Sequence, residues 1–145
     1  MPYSIRTYTK ADIPQIIALI KELAEFENAA DQMKNTAELM EQEADYFHCL
    51  VAESEAKEII GMALYYYCYY TWVGKSLYLD DLIVTAAHRG KGIGTMLLEK
   101  VIDTGKQANC KRIRWQVLDW NENAIALYEK MGAKIDKGWY NCDIE

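Results

Sequence analysis

The chain has 145 residues, 51% of them apolar and 26% charged, with a formal net charge of −6 at pH 7. That is the length of one domain, and a chain of about 150 residues buries roughly 68–70% of its unfolded surface, so a core can form without staples. Only 2 prolines and 8 glycines exclude a fibrous or disordered chain, and the acidic balance excludes a nonspecific nucleic-acid or anionic-membrane binder while suiting a cationic substrate.

Tyr3 to Tyr8 reads as a strand, with Ile5 between polar neighbours. Thr9 and Asp12 have capping-box spacing, and Ile13, Ile16, Ile17, Ile20, Leu23 and Ala24 then recur at helical intervals. A more polar helix is expected from Asn35, with Glu38 completing its box, to about Asp45. His48 to Glu53 and Ile59 to Tyr70 read as strands joined by a polar turn, Ser54 to Glu58. Leu77 to Val84 is a third apolar run, interrupted only by Asp80 and Asp81. A basic, glycine-rich segment leads into a helix from about Gly92 to Ala108. Lys111 to Leu118 alternates as a strand, Asn121 to Met131 is a helix that Gly132 is placed to end, and Gly138 to Ile144 closes as a strand. The order is that of a single α/β domain, residues 1–145, with a mixed sheet.

Cys49, Cys68, Cys110 and Cys142 make no C-x-x-C pair, and the histidines are His48 and His88. A zinc site is therefore not expected. Met1 to Thr9 has no apolar signal region, and no apolar run nears the roughly 18 residues of a membrane span. The expectation is a cytoplasmic protein with reduced thiols.

The most informative segment is Arg89-Gly90-Lys91-Gly92-Ile93-Gly94-Thr95, between an apolar strand and a helix. A helix N-terminus offers unpartnered N–H groups and partial positive charge, and glycines let the backbone approach an anion closely. With Arg89 and Lys91 added, the segment suits a pyrophosphate. It is not a P-loop, because Gly92 follows Lys91. It is not a dinucleotide fingerprint, because Thr95 stands where the third glycine should be. What remains is R-x-x-G-x-G, from Arg89, Gly92 and Gly94; the plain alternative is a tight glycine turn with solvated basic flanks.

With this loop, the chain resembles the GNAT superfamily of acetyl-CoA-dependent N-acetyltransferases. A second segment, Asn121-Glu122-Asn123-Ala124 through Tyr128 to Gly132, is similar to that family's N-x-x-A-x-x-x-Y-x-x-x-G. Ile20-Lys21-Glu22-Leu23-Ala24, His48 to Glu53, Trp72-Val73-Gly74-Lys75, Tyr78-Leu79-Asp80-Asp81, Trp120-Asn121-Glu122 and Gly138-Trp139 resemble the spermidine/spermine (diamine) acetyltransferase subgroup. That subgroup includes relatives acting on thialysine. Two departures stand out: Tyr70-Thr71-Trp72 replaces the D-P-W of the polyamine enzymes, and Asp80 replaces a glutamate.

The resemblance implies a mostly antiparallel mixed sheet of about six to seven strands flanked by about four helices. It implies acetyl-CoA as cofactor, held by Leu82, Ile83, Val84, Arg89, Gly90, Lys91, Gly92, Ile93, Gly94, Thr95, Asn121 and Tyr128. It implies a small-molecule primary amine as substrate and a homodimer as assembly, with no nucleic-acid or membrane partner. Acetylation of a protein or peptide amine, or coenzyme A binding without catalysis, are the alternatives.

An ammonium of lysine type has a pKa near 10.4 and must lose a proton before it attacks, while the leaving thiolate needs one. The resemblance makes Tyr128 the candidate donor to the thiolate; otherwise it is a core tyrosine. The resemblance likewise implies Asp80 as the residue that reaches the amine through water, with Asp81 as a second acid in the amine channel. Adjacent strand residues point to opposite faces, so one of the two faces solvent unless a bulge re-aims it. Glu27 either binds a distal ammonium or is a solvated helix-end charge. Trp72 either walls the amine channel through cation–π attraction or packs in a core or interface. Asn121 either contacts the coenzyme or caps the following helix.

Overall fold

The computed structural model describes residues 2–145. Five strands form one sheet in chain order: β1 (Tyr3–Thr7), β2 (His48–Ser54), β3 (Ile59–Tyr70), β4 (Gly74–Val84) and β5 (Arg112–Trp115). The first four pair antiparallel, and β5 joins β4 in parallel. A parallel neighbour needs a crossover, which helix α3 (Ile93–Gln107) supplies. Helices α1 (Ile13–Phe26), α2 (Ala37–Gln42) and α4 (Glu122–Lys130) complete the four α-helices of the described residues.

Each sheet face carries its own core. Ile13, Ile16 and Leu19 of α1 and Met40 of α2 pack on Cys49, Val51, Met62 and Ile83. Ile93, Leu97, Leu98 and Val101 of α3 pack on Leu50, Ala52, Ala63, Leu77 and Leu79. The entry to α1 is fixed by Asp12, whose Oδ2 accepts the Thr9 N–H at 2.7 Å. Arg6 holds both Asp12 oxygens, at 2.7 and 3.0 Å, and also Glu53 Oε2 at 3.0 Å. The two carboxylates ending on one guanidinium tie β1, β2 and the start of α1 together, and Arg6 holds the Asp12 pKa down to about 2.

Three expectations are corrected. The strand expected over Gly138–Ile144 does not form, so the sheet has five strands rather than six to seven. Asp136 turns that segment back on itself, its two oxygens accepting Gly138 N–H and Trp139 Nε1–H, and Trp139, Tyr140 and Ile144 stay exposed. The strand expected over Lys111–Leu118 contracts to β5, because its pairing with β4 stops at Leu79↔Trp115. The second helix is capped by Thr36, whose Oγ1 accepts the Leu39 N–H at 3.1 Å, and it ends at Gln42 before a short 3-10 turn, Ala44–Tyr46. No helix among the described residues is long and apolar enough to cross a membrane.

Candidate active site

A bulge in β4 organises the site. Leu64 of β3 pairs with Asp81 and Tyr65 with Leu79, which leaves Asp80 as an extra residue. A bulge of this kind reverses which face later side chains take. Before it, Leu77 and Leu79 point to the α3 side; after it, Leu82 and Val84 do, while Ile83 joins the α1 side. Because β5 stops pairing at the same level, β4 continues from Asp80 to Val84 paired with β3 on one side and open on the other, and a cleft lies beside it.

That cleft, of about 340 Å³, is lined by Leu82, Ile83, Val84, Arg89, Gly90, Gly92, Ile93, Gly94, Thr95 and Tyr128. These are ten of the twelve residues expected at the coenzyme. Gly90 and Gly92 both have φ near +80°, and Gly92 is the N-cap of α3. A Cβ at either would meet nothing within 4 Å, so the requirement for glycine is one of backbone conformation, not of space. Lys91 and Asn121 stand outside the lining. The Lys91 carbonyl accepts the Tyr3 hydroxyl at 3.0 Å, and Asn121 Oδ1 caps α4 by accepting Ala124 N–H at 3.4 Å.

Tyr128 reaches the cleft from α4 and meets the Trp115 ring edge-on, 5.4 Å between centroids. Burial alone raises its pKa above the usual 10, so its proton stays on at neutral pH. Arg89 is already engaged: its Nε donates to Val84 O at 2.9 Å and its Nη2 to Glu22 Oε2 at 3.3 Å.

A second cleft, of about 380 Å³, opens where α1 and α2 meet the bulge, and Asp80 and Asp81 both line it. The bulge is what lets neighbouring residues share one cavity. Burial pushes Asp81 up to about 7, with the charges of Asp80 and Glu27 adding to the rise. Asp80, at the open mouth, is also raised by desolvation. Glu27, the C-cap of α1, is raised by burial and then by Asp80, so it belongs to the same acidic group although it does not line the cavity. Trp72 is 85% exposed in the β3–β4 turn and lines neither cleft.

Sequence reading missed His88, Leu98 and Leu127 in the first cleft, and Asn35, Glu43, Tyr46 and Phe47 in the second. None belongs to a motif; the one signal was an aromatic pair, Tyr46-Phe47, directly after a polar helix. The two clefts are lined by successive stretches of β4, Asp80–Asp81 in the second and Leu82 to Val84 in the first. The first fits a thioester nucleotide: a helix N-terminus and left-handed glycines at one end, an apolar strand edge and a protonated phenol at the other. The second fits a cation.

Comparison with known proteins agrees. A model described as the Acetyltransferase (GNAT) family matches residues 15–133. The chain is 37% identical to a thialysine N-epsilon-acetyltransferase of Mus musculus, over 97% of this chain and 91% of that one. It is 35% identical to spermidine/spermine N(1)-acetyltransferase-like protein 1 of Homo sapiens, over 95% of this chain and 22% of that one. Among solved structures it resembles an aminoglycoside acetyltransferase from an uncultured soil metagenomic sample, with a TM-score of 0.80, 25% identity and 100% of both chains covered.

Proposed function

The chain belongs to the GNAT acetyltransferase family, and from that premise we propose that it transfers acetyl from acetyl-CoA to a primary amine of a small polyamine or lysine-like molecule, by direct attack on the thioester. The observation that carries this reading is the pair of clefts on successive stretches of β4, with a phosphate-type turn in one and paired carboxylates in the other.

Bound acetyl-CoA supplies the thioester carbonyl as electrophile. The Gly90–Gly94 turn and the first N–H groups of α3 would hold its pyrophosphate, and Leu82 to Val84 would line the arm that carries the acetyl group. Tyr128 holds a proton for the departing thiolate. Asp80 and Asp81 attract the substrate ammonium, and Glu27 adds a third carboxylate for a distal ammonium.

The proton balance favours Asp81 over Asp80 as acceptor. Transfer from an ammonium of pKa 10.4 to an ordinary carboxylate is uphill by about 9 kcal/mol, and to a group near 7 by about 5 kcal/mol; desolvation raises both acids, and Asp81 further, to about 7. Asp80, beside it, keeps the Asp81 pKa high and takes the amine's charge at the mouth. Exposed Tyr69, Trp72, Trp139 and Tyr140 provide apolar surface in support of a homodimer.

Steady-state kinetics of Glu27→Gln test the site for the distal ammonium. The KM for a diamine should rise at least fivefold more than the KM for a monoamine of equal length. Equal changes for the two would reject an acidic site for a second ammonium.

A further inference from the structure

We propose that Glu22 and Tyr3, both outside the glycine motif, are positioning residues that hold the pyrophosphate-binding turn in its binding shape before the coenzyme arrives. The proposal rests on the acetyl-CoA reading above.

The turn is tied at both ends. Where β4 runs out, Glu22 of α1 takes three donors on its two oxygens: Thr85 Oγ1 at 2.9 Å on Oε1, and the Ala86 N–H at 3.0 Å and Arg89 Nη2 at 3.3 Å on Oε2. Arg89 is fixed further by Val84 O and by the Phe26 ring, 5.5 Å from its guanidinium carbon. At the far end, the Tyr3 hydroxyl donates to the Lys91 carbonyl at 3.0 Å, and Tyr3 itself is held in β1 opposite Ser54. Gly90 lies between the two tethers and Gly92 directly after the second, both at φ near +80°. Glycine backbone is the freest in a chain, and ordering it on a ligand weakens binding. Tethers that order it beforehand remove that cost from the binding step.

Glu22 is otherwise out of place. A carboxylate beside the loop opposes an anionic ligand by simple Coulomb repulsion, and it occupies one face of the loop's arginine. Its contacts with a backbone N–H and a hydroxyl account for it as a tether. Glu22→Ala removes all three contacts, whereas the amide of Glu22→Gln keeps its oxygen on Ala86 N–H and Arg89 and donates its NH₂ to the Thr85 hydroxyl.

The test compares two acetyl donors, acetyl-CoA and S-acetylpantetheine, which has the same thioester and no pyrophosphate, at a saturating diamine. Tyr3→Phe should lower kcat/KM for acetyl-CoA about fivefold and Glu22→Ala about tenfold, in both cases through KM with kcat unchanged. With S-acetylpantetheine, both variants should stay within about twofold of the wild type. Equal losses with both donors would overturn the proposal, since damage to the fold at large does not distinguish donors. An unchanged or tighter acetyl-CoA KM in Glu22→Ala would overturn it in favour of charge repulsion. A wild-type protein active with neither donor would remove the acetyl-CoA reading itself, and that result would be seen before any variant is made.

Discussion

Asp81 and Tyr128 are moved by the same force, loss of water, and it serves opposite needs: an acceptor strong enough to hold a proton, and a donor that keeps its own. For Tyr128, the phenylalanine variant should bind acetyl-CoA almost as the wild type does and turn over at least tenfold more slowly; an unchanged turnover number would take the hydroxyl out of the mechanism. For Asp81, burial has a cost in stability. A carboxyl raised from 3.8 to about 7 on folding binds more protons folded than unfolded between those values. Stability therefore falls as pH climbs through that window and stays lower above it. Asp81→Asn should raise the melting temperature at pH 8 by roughly 2–4 °C, about 1 kcal/mol after discounting for solvent in the cleft, and leave it nearly unchanged at pH 4. A variant that melts lower at pH 8 would contradict the buried-carboxylate account. The glycine turn and the acid pair stood out in the sequence because their residue types are unusual where they stand; Tyr128, one of 11 tyrosines, stood out only through the resemblance of its segment to the family's. Glu22, Glu43 and Tyr3 did not: each is an ordinary residue of its element, and only the contact made across the fold gives it a role.

At the scale of elements, the site depends on where β5 lies relative to β4 and α3. Gly105, inside α3, lets the helix approach β5: a Cβ there would stand 2.8 and 2.9 Å from Ile113 Cδ1 and Cγ1. Gly105→Ala gains about 1 kcal/mol of helix propensity but pushes against a packed, β-branched neighbour, an overpacking cost of typically 1–3 kcal/mol. The melting temperature should fall by about 2–4 °C, and a rise would show that β5 yields freely. Helical periodicity placed α1, which buries one regular face, Ile13, Ile16 and Leu19. Strand alternation posed the problem of two adjacent acids in one strand without solving it, because a bulge is a property of the pair β3–β4 and leaves no mark in β4 alone. The closing strand over Gly138–Ile144 was misread for a related reason. Its aromatic residues suit a strand, but a strand needs a partner, and Asp136 satisfies the local donors instead.

At the scale of the whole molecule, a net charge of −6 and a cavity lined by Glu43, Asp80 and Asp81 with no basic side chain act in one direction, drawing cations toward β4. The coenzyme side reverses the sign locally, through Arg89, Lys91 and the N-terminus of α3. Two substrates of opposite charge thus approach neighbouring stretches of one strand. The central claim is that acetyl passes between them there. The measurement that tests it most directly is acetyl transfer from acetyl-CoA to a panel of amines, read by product mass so that the chain's own thiols do not interfere. The panel would hold spermidine, spermine, putrescine, thialysine, lysine, an aminoglycoside and a lysine peptide. The account predicts strong turnover of the polyamines or thialysine over the peptide and the aminoglycoside. Silence on every amine, with acetyl-CoA bound, would contradict it.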